Sequence, residues 1–230
     1  MNKKEDTILI FSDIHAPFQH CLCIDFLKEI KKVYKPTIVL SNGDLIDQYS
    51  ASCFRKNLSD MDGADKEFEK VEAFVEELQD LFPELIVLDG NHDSIHNGRV
   101  HSRGKDTGIP TKMLKNFYEL FDNSWRYRTN YETKNLFVTH GTQFSGKFAL
   151  QRVIETYRKN TVIGHLHSNQ GIIYNNNGKN VTWAATGGCL MDTDSYAAAY
   201  GKKFKDQPLH GCVIVTGDNQ PIIESLEGEG

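Results

Sequence analysis

The sequence lacks any long apolar run and any regular cysteine pattern. Its first apolar stretch covers only residues 8–11, which is too short for the core of a signal peptide or for a membrane span. The five cysteines are an odd number without framework spacing, and Cys21-x-Cys23 has no matching second pair for a zinc knuckle. We therefore expect free thiols in a reducing cytoplasm and no membrane partner.

A basic excess is also missing. The formal net charge is -5 over 230 residues, whereas proteins that mainly grip long nucleic acid carry a surplus of lysine and arginine. Nucleic acid is therefore not favoured as a partner, although a local basic patch stays open. The length allows one large domain or two small ones. Because no repeat, low-complexity run or linker is present, we expect one domain over residues 1–230 with a frayed tail at 227–230.

Short apolar runs alternate with segments of helical periodicity in the first half of the chain, and the second half is richer in strands. The predicted strands cover residues 7–11, 37–40, 85–88, 136–139, 161–163, 172–174, 181–185, 213–216 and 222–226. The predicted helices cover residues 24–33, 65–81, 112–121 and 147–158. This order predicts a layered α/β domain with mixed sheets.

Five of the predicted strands end in residues whose side chains can bind metal ions. Ligands of open α/β sheets lie beyond the carboxyl ends of the strands, so these five ends could converge on one cleft. His165 and His167 are two positions apart at a strand end and should face the same space. The five ends are Asp13-Ile14-His15, Gly43-Asp44, Gly90-Asn91-His92-Asp93, His140-Gly141 and Gly164-His165-Leu166-His167.

Each of these pieces alone has an ordinary structural explanation. Gly-Asp commonly forms a turn, and a single histidine is usually hydrogen-bonded or exposed. Six of the nine histidines, however, fall in or beside the five strand ends, where scattered surface histidines have no reason to collect. Imidazole nitrogen, carboxylate and amide oxygen suit Mn, Fe, Co, Ni or Zn. Seven such donors are too many for one ion, but two ions bridged by a carboxylate would use them all.

The ordered set D-x-H, G-D, G-N-H-D, H-G and G-H-x-H, which runs from residue 13 to residue 167, resembles the calcineurin-like metallophosphoesterases. The segments 48–55, 188–192 and 209–211 are similar to small phage-encoded members, which would place the protein in a host cytoplasm. The resemblance implies a four-layer α/β/β/α sandwich of two mixed β-sheets flanked by helices. It also implies a di-metal site at the strand ends.

The resemblance implies a role for each matching residue. Two divalent transition-metal ions are expected, with Mn first and Fe, Zn, Ni or Co as alternatives. A hydroxide that bridges the ions would attack phosphorus, His92 would donate a proton to the leaving oxygen, and Asp93 would orient that imidazole. Asp47 either holds a histidine or caps a helix. The implied ligands are Asp13, His15, Asp44 and His167 for one ion, with Asp44 bridging to a second ion held by Asn91, His140 and His165.

The substrate is less well determined than the chemistry. We expect a small phosphomonoester of the nucleotide type, with a phosphodiester as the alternative, either nucleic acid or a cyclic nucleotide. A protein-binding scaffold is the minor alternative, and the sequence predicts no oligomeric state. The residues 94–111 form either a substrate-side loop or a solvated one. The candidate substrate contacts are His96, Arg99, Arg103, Tyr49 and Arg55.

Overall fold

The structure is a computed structural model that describes residues 6–51, 63–93, 124–192, 195, 207–217 and 219–226. The predicted helix at 112–121, the loop at 94–111 and the tail at 227–230 lie outside these residues. The helices of the described part are α1 (Cys23–Tyr34), α2 (Ala64–Leu81) and α3 (Ala149–Tyr157), with a short 3₁₀ turn at Tyr49–Ala51. Its strands are β1 (Ile8–Phe11), β2 (Ile38–Asn42), β3 (Ile86–Leu88), β4 (Arg126–Arg128), β5 (Tyr131–Glu132), β6 (Leu136–Thr139), β7 (Asn160–Ile163), β8 (Gln170–Asn176), β9 (Val181–Gly187), β10 (Gly211–Val215) and β11 (Pro221–Ser225).

These strands form two mixed sheets. The first sheet has the order β11-β10-β1-β2-β3-β4, and the second has the order β5-β6-β7-β9-β8. In the first sheet β1, β2, β3 and β4 run parallel, while β10 and β11 are antiparallel additions. In the second sheet β6, β7 and β9 are parallel, and β5 and β8 are antiparallel edges. Among the described residues, α1, α2 and α3 supply the crossovers between the parallel pairs β1 and β2, β2 and β3, and β6 and β7.

Three of the clusters of buried side chains in the described part of the chain lie between its four layers. Alternate side chains of β1 point to opposite faces of the sheet. Ile8 and Ile10 cluster with residues of the second sheet such as Trp183, and this cluster forms the core between the sheets. Leu9 clusters with residues of α1 and α2 on the outer face, such as Leu78. Residues of α3 cover the far face of the second sheet. The predicted four-layer α/β/β/α sandwich is confirmed.

The elements agree closely with the prediction, with two exceptions. Strands β4 and β5 were not predicted, because Arg126–Arg128 and Tyr131–Glu132 are short and mostly exposed and carry no apolar run. In α1 the side chains of Ile24, Leu27 and Ile30 are buried, whereas 59% of the surface of Val33 near its carboxyl end is exposed.

The carboxyl ends of the parallel strands meet at one edge of the sandwich. The Asp13 amide donates to the Gly43 carbonyl at 3.1 Å, which joins the segments after β1 and β2. The Asn42 side chain donates to the Thr139 carbonyl of β6 at 3.1 Å and so links the two sheets at this edge. Within the described residues, no helix combines the length and the apolarity that crossing a bilayer requires.

Candidate metal centre

The seven predicted metal ligands all lie at this edge of the sandwich. Asp13 and His15 follow β1, Asp44 follows β2, and Asn91 follows β3. His140 follows β6, and His165 and His167 follow β7. Both sheets therefore contribute to one site, in which three groups of side chains have ligand atoms within 4.8 Å of one another. The groups are Asp13, His15 and His167; Asp44, His140 and His165; and His15, Asp44 and His92.

The backbone at the strand ends takes a conformation that L-residues rarely adopt. Four of the candidate ligands have positive φ angles: 55° at Asp13, 54° at His15, 51° at Asp44 and 65° at His165. Each such residue costs about 1–2 kcal/mol, and clusters of them are typical of functional sites. The sharp turns direct consecutive ligands away from the sheet and into a common space.

Two glycines allow the site to close. A Cβ atom on Gly90 would lie 2.1 Å from the Asp44 nitrogen and 2.3 Å from its Oδ1. A Cβ atom on Gly43, where φ is 85°, would lie 2.6 Å from Nδ1 of His140. Any side chain at either position would push a candidate ligand out of place.

The first group surrounds Asp13. Its Oδ1 lies 3.1 Å from Nε2 of His167, and its carboxylate accepts the His165 amide at 2.9 Å. Nε2 of His15 lies 3.3 Å from Nε2 of His167. Ligand atoms at right angles around one ion, each bonded at about 2.1 Å, are about 3 Å apart. The spacing in this group therefore suits one ion between the three side chains.

The second group surrounds Asp44. Its Oδ2 lies 3.1 Å from Nε2 of His140, and Oδ1 of Asn91 lies 3.1 Å from the same nitrogen. The rings of His140 and His165 are in edge contact, with centroids 5.3 Å apart. Asp44 Oδ2 is also 3.9 Å from Nε2 of His15, so this one carboxylate reaches both groups.

The histidine tautomers also fit metal binding. Nδ1 of His15 lies 2.8 Å from the Asp47 carboxylate, and Nδ1 of His140 lies 2.9 Å from the Asn42 carbonyl. Both partners can only accept, so each Nδ1 carries a hydrogen. A neutral ring then has its lone pair on Nε2, which points into the site, and this is the usual arrangement of metal-binding histidines. The donor set and its orientation therefore fit two divalent ions.

The two central aspartates are anionic. Burial alone would raise the pKa of Asp44, but His140 and His92 outweigh it and hold the pKa well below its usual range. Asp13 has a lowered pKa because His167 and His140 outweigh the same cost of burial. Burial also acts on His140, where it is opposed by Asp44, and the net effect raises the pKa of His140 to about 10. Burial, followed by neighbouring imidazoles, lowers the pKa of His15 and His165.

Asp47, and not Asp93, lies against the His92 ring. Nδ1 of His92 is 2.9 Å from the Asp47 carbonyl and 3.1 Å from its carboxylate. The predicted orientation of His92 by Asp93 is therefore wrong. The Asp93 carboxylate turns the other way and accepts the amides of Leu45 and Ile46 at 3.1 and 2.9 Å. Burial and the nearby Asp44 raise the pKa of Asp93 to about 7.

The contacts of Asp47 also answer the question that the sequence left open. Its carboxylate binds the imidazoles of His15 and His92, which is the first of the two expected roles. The feature of the sequence that indicated a role for Asp47 is its position three residues after Asp44. The Asn42 carbonyl, which orients His140, is a backbone atom and left no signal in the sequence.

Of the candidate substrate contacts, only Tyr49 is described. Its ring packs edge-on against Phe18, with centroids 5.9 Å apart. Arg55, His96, Arg99 and Arg103 lie outside the described residues.

The profile of one protein family, Calcineurin-like phosphoesterase, matches residues 6–189 of this sequence. The chain belongs to that family. The membership confirms the resemblance predicted from the order of the motifs. It also supports a dependence on two metal ions, for which this calcineurin-like phosphoesterase has suitable Asp and His groups.

Several solved structures are similar to this chain, and the first of them shows the same fold. The metallophosphoesterase from Sphaerobacter thermophilus is 14% identical with a TM-score of 0.51, covering 98% of this chain and 90% of that one. The phosphoesterase Yfce from E. coli is 14% identical with a TM-score of 0.42, covering 96% and 100%. Vacuolar Protein Sorting 29 from Cryptosporidium parvum is 12% identical with a TM-score of 0.46, covering 98% and 100%. Among curated proteins none matches this sequence.

Proposed function

We propose that this protein is a di-metal-dependent phosphoesterase that hydrolyses a small phosphomonoester of the nucleotide type. The observation that carries the proposal is the position of Asp44, whose carboxylate belongs to ligand groups on both sides of it. A buried anion that reaches two neighbouring histidine groups is the arrangement that a bridged pair of ions requires.

The ligands divide between two ions. Asp13, His15 and His167 would hold the first together with Asp44, whose Oδ2 lies 3.9 Å from Nε2 of His15. Asn91, His140 and His165 would hold the second with the same aspartate. When bound, two divalent ions neutralise phosphoryl oxygens and make a water nucleophilic near neutral pH. Both ions are proposed to be Mn²⁺, because nitrogen and oxygen ligands suit this ion and no thiolate is among the proposed ligands.

His92 is the proposed general acid. Its Nδ1 is held by Asp47, so the opposite nitrogen, Nε2, is directed towards the site, 4.0 Å from Oδ2 of Asp44. A protonated Nε2 in that position can donate to the oxygen that leaves phosphorus. Asp93 supports the same site by holding the segment that follows Asp44, so its proposed role is structural.

The acidic net charge of -5 favours a small substrate over long nucleic acid. We further propose that residues 1–230 act as one domain in the cytoplasm. The basic segment 94–111, together with Tyr49 and Arg55, stays the proposed contact for the rest of the substrate. A phosphodiester substrate is the alternative outcome of the experiment below.

The test is a substrate panel with Mn²⁺ added to the purified chain. It contains 5′- and 3′-nucleotides, cyclic nucleotides, aryl mono- and diesters, and single- and double-stranded DNA. We expect turnover of nucleotide monoesters, and we expect Asp44→Asn to abolish it together with metal binding. Faster hydrolysis of diesters would replace the proposed substrate. Absence of bound metal together with no hydrolysis would favour a scaffold.

The role of His92 is tested separately by the leaving group. His92→Ala should keep both ions and lose rate on alkyl phosphates, by about 10²–10⁴-fold for a lost general acid. The loss should shrink on activated aryl esters, whose leaving group needs no proton. Full activity of the variant on an alkyl phosphate would contradict the assignment.

A further inference from the structure

A buried carboxylate on α2 contacts the segment that carries Asp47. Glu67 lies in the first turn of that helix and is only 5% exposed. Its two oxygens accept the amides of Tyr49 and Ser50 at 2.6 and 2.8 Å. These amides begin the 3₁₀ turn, where the first N–H groups have no carbonyl of the turn to bond. A carboxylate is costly to bury, and these hydrogen bonds offset only part of that cost, because burial still raises the pKa of Glu67.

The segment 45–50 is held by carboxylates at both ends. Asp93 accepts the amides of Leu45 and Ile46 at the first end, and Glu67 accepts two amides at the second. Asp47 lies between them, with its own amide bonded to the Ala16 carbonyl at 3.0 Å. Its carboxylate and carbonyl bind His15 and His92.

The backbone between Asp47 and the amides held by Glu67 is strained. Gln48 has a φ of 55°, in the left-handed region that non-glycine residues rarely adopt. Such a conformation costs about 1–2 kcal/mol and persists only where surrounding contacts enforce it. The peptide group whose carbonyl accepts from His92 directly precedes the peptide group whose N–H donates to Glu67. Loss of the Glu67 contacts would let Gln48 relax and move that carbonyl.

We propose that Glu67 is a positioning residue for the metal centre. It acts through residues 47–50 on the imidazoles of His15 and His92. It has no such path to His140, whose Nδ1 is held by the Asn42 carbonyl at the end of β2. The effect should therefore be selective, and it should weaken the ion at His15 and spare the ion at His140. The catalytic part of this inference rests on the proposed function, but the metal-binding part does not.

The first test measures metal binding alone. Mn²⁺ is titrated calorimetrically into the metal-stripped full chain carrying Glu67→Gln. Loss of a partner that orients a metal ligand typically weakens metal affinity by about 10–100-fold. Because Glu67 acts one step further from the ligand, we expect Glu67→Gln to weaken the affinity for one of the two ions by about 3- to 10-fold. Glu69→Gln makes the same charge change on an exposed face of the same helix and should bind as the wild type does.

A double variant separates positioning from general stability. Asp47→Asn should weaken the same ion more strongly, and adding Glu67→Gln to it should cause little further loss, because both act on one path. The proposal would be overturned if the losses of Mn²⁺ affinity in the two single variants multiplied in the double variant. It would also be overturned if Glu67→Gln weakened the binding of both ions equally. Normal binding of both ions by Glu67→Gln would also overturn it.

Folding is checked by thermal unfolding of the metal-free chain, with Glu67→Asp as a milder variant that keeps the charge. If neither variant folds, Glu67 serves the fold and the positioning role is refuted. The leaving-group assay gives the catalytic readout. Glu67→Gln should slow alkyl phosphate hydrolysis more than aryl phosphate hydrolysis, as His92→Ala does. If the wild type is active and Glu67→Gln leaves the ratio of alkyl to aryl phosphate hydrolysis rates unchanged, the action of Glu67 on His92 is refuted. If the wild type binds two ions but hydrolyses no ester, the proposed function is refuted instead.

Discussion

Metal binding to this site should release a proton from His140. In the metal-free protein Nδ1 of His140 donates to the Asn42 carbonyl, so the second proton of the ring resides on Nε2. Nε2 lies 3.1 Å from the Asp44 carboxylate, and that carboxylate raises the pKa of His140 to about 10. An ion in the Asp44 group needs the lone pair of the same Nε2, so the proton must leave when the ion binds.

The size of the effect follows from the pKa. At pH 8.5 a group with a pKa of about 10 is about 97% protonated. Asp93, with a pKa of about 7, is already ionised at that pH and contributes little. We therefore expect about one proton released from His140 for each pair of ions bound, and up to one more from a metal-bound water. The apparent Mn²⁺ affinity should rise at least about tenfold per pH unit up to the pKa of His140, because the unbound state binds the extra proton.

The assay is titration calorimetry in two buffers of different ionisation enthalpy at pH 8.5. The slope of the measured enthalpy against buffer ionisation enthalpy gives the number of protons released. His210→Gln is the control, since that imidazole bonds the Met191 carbonyl and belongs to none of the three ligand groups. Binding of two ions without proton release would refute the reasoning about His140.

Three further predictions concern single substitutions. His165→Ala and His167→Ala should each lose a different ion, and metal analysis after gel filtration counts the ions that remain. Loss of both ions from either variant would contradict the assignment of the two histidines to different ions. Gly90→Ala should destabilise the chain by about 1–3 kcal/mol and abolish metal binding, because the new Cβ would lie 2.1 Å from the backbone nitrogen of Asp44. Leu78→Ala removes a fully buried side chain of α2 and should cost about 2–5 kcal/mol in urea unfolding, whereas exposed Val33→Ala should cost less than about 0.5 kcal/mol.

The predicted ligands came together because each belongs to a local signal. His165 and His167 directly follow a buried strand, and a strand end can be read from a few adjacent residues. The carboxyl ends of parallel strands then meet without further information. The exposed strands β4 and β5 carry no such signal, because Arg126–Arg128 pairs with β3 through backbone atoms only in the folded sheet.

The contacts that orient the ligands could not be predicted in the same way. Asp93 is adjacent to His92 in sequence, but neighbouring side chains in a turn diverge, so Asp93 binds backbone amides of Leu45 and Ile46. The partner of His92 is Asp47, which is 45 residues away along the chain. In the sequence Glu67 does not differ from the other acids of an amphipathic helix, but in the fold its carboxylate accepts the amides of Tyr49 and Ser50.

Strand patterns and strand-end motifs are local properties, and they were enough to predict the layered α/β fold, the family and the side chains available to bind metal. Which atoms are neighbours depends on tertiary contacts. These contacts bring Asp44 between two histidine groups and turn Asp47 towards His15 and His92. They also enclose Glu67 against the amides of Tyr49 and Ser50. The physical reason is that orientation, burial and the pKa of each group depend on contacts between segments distant in sequence, and no local pattern encodes those contacts.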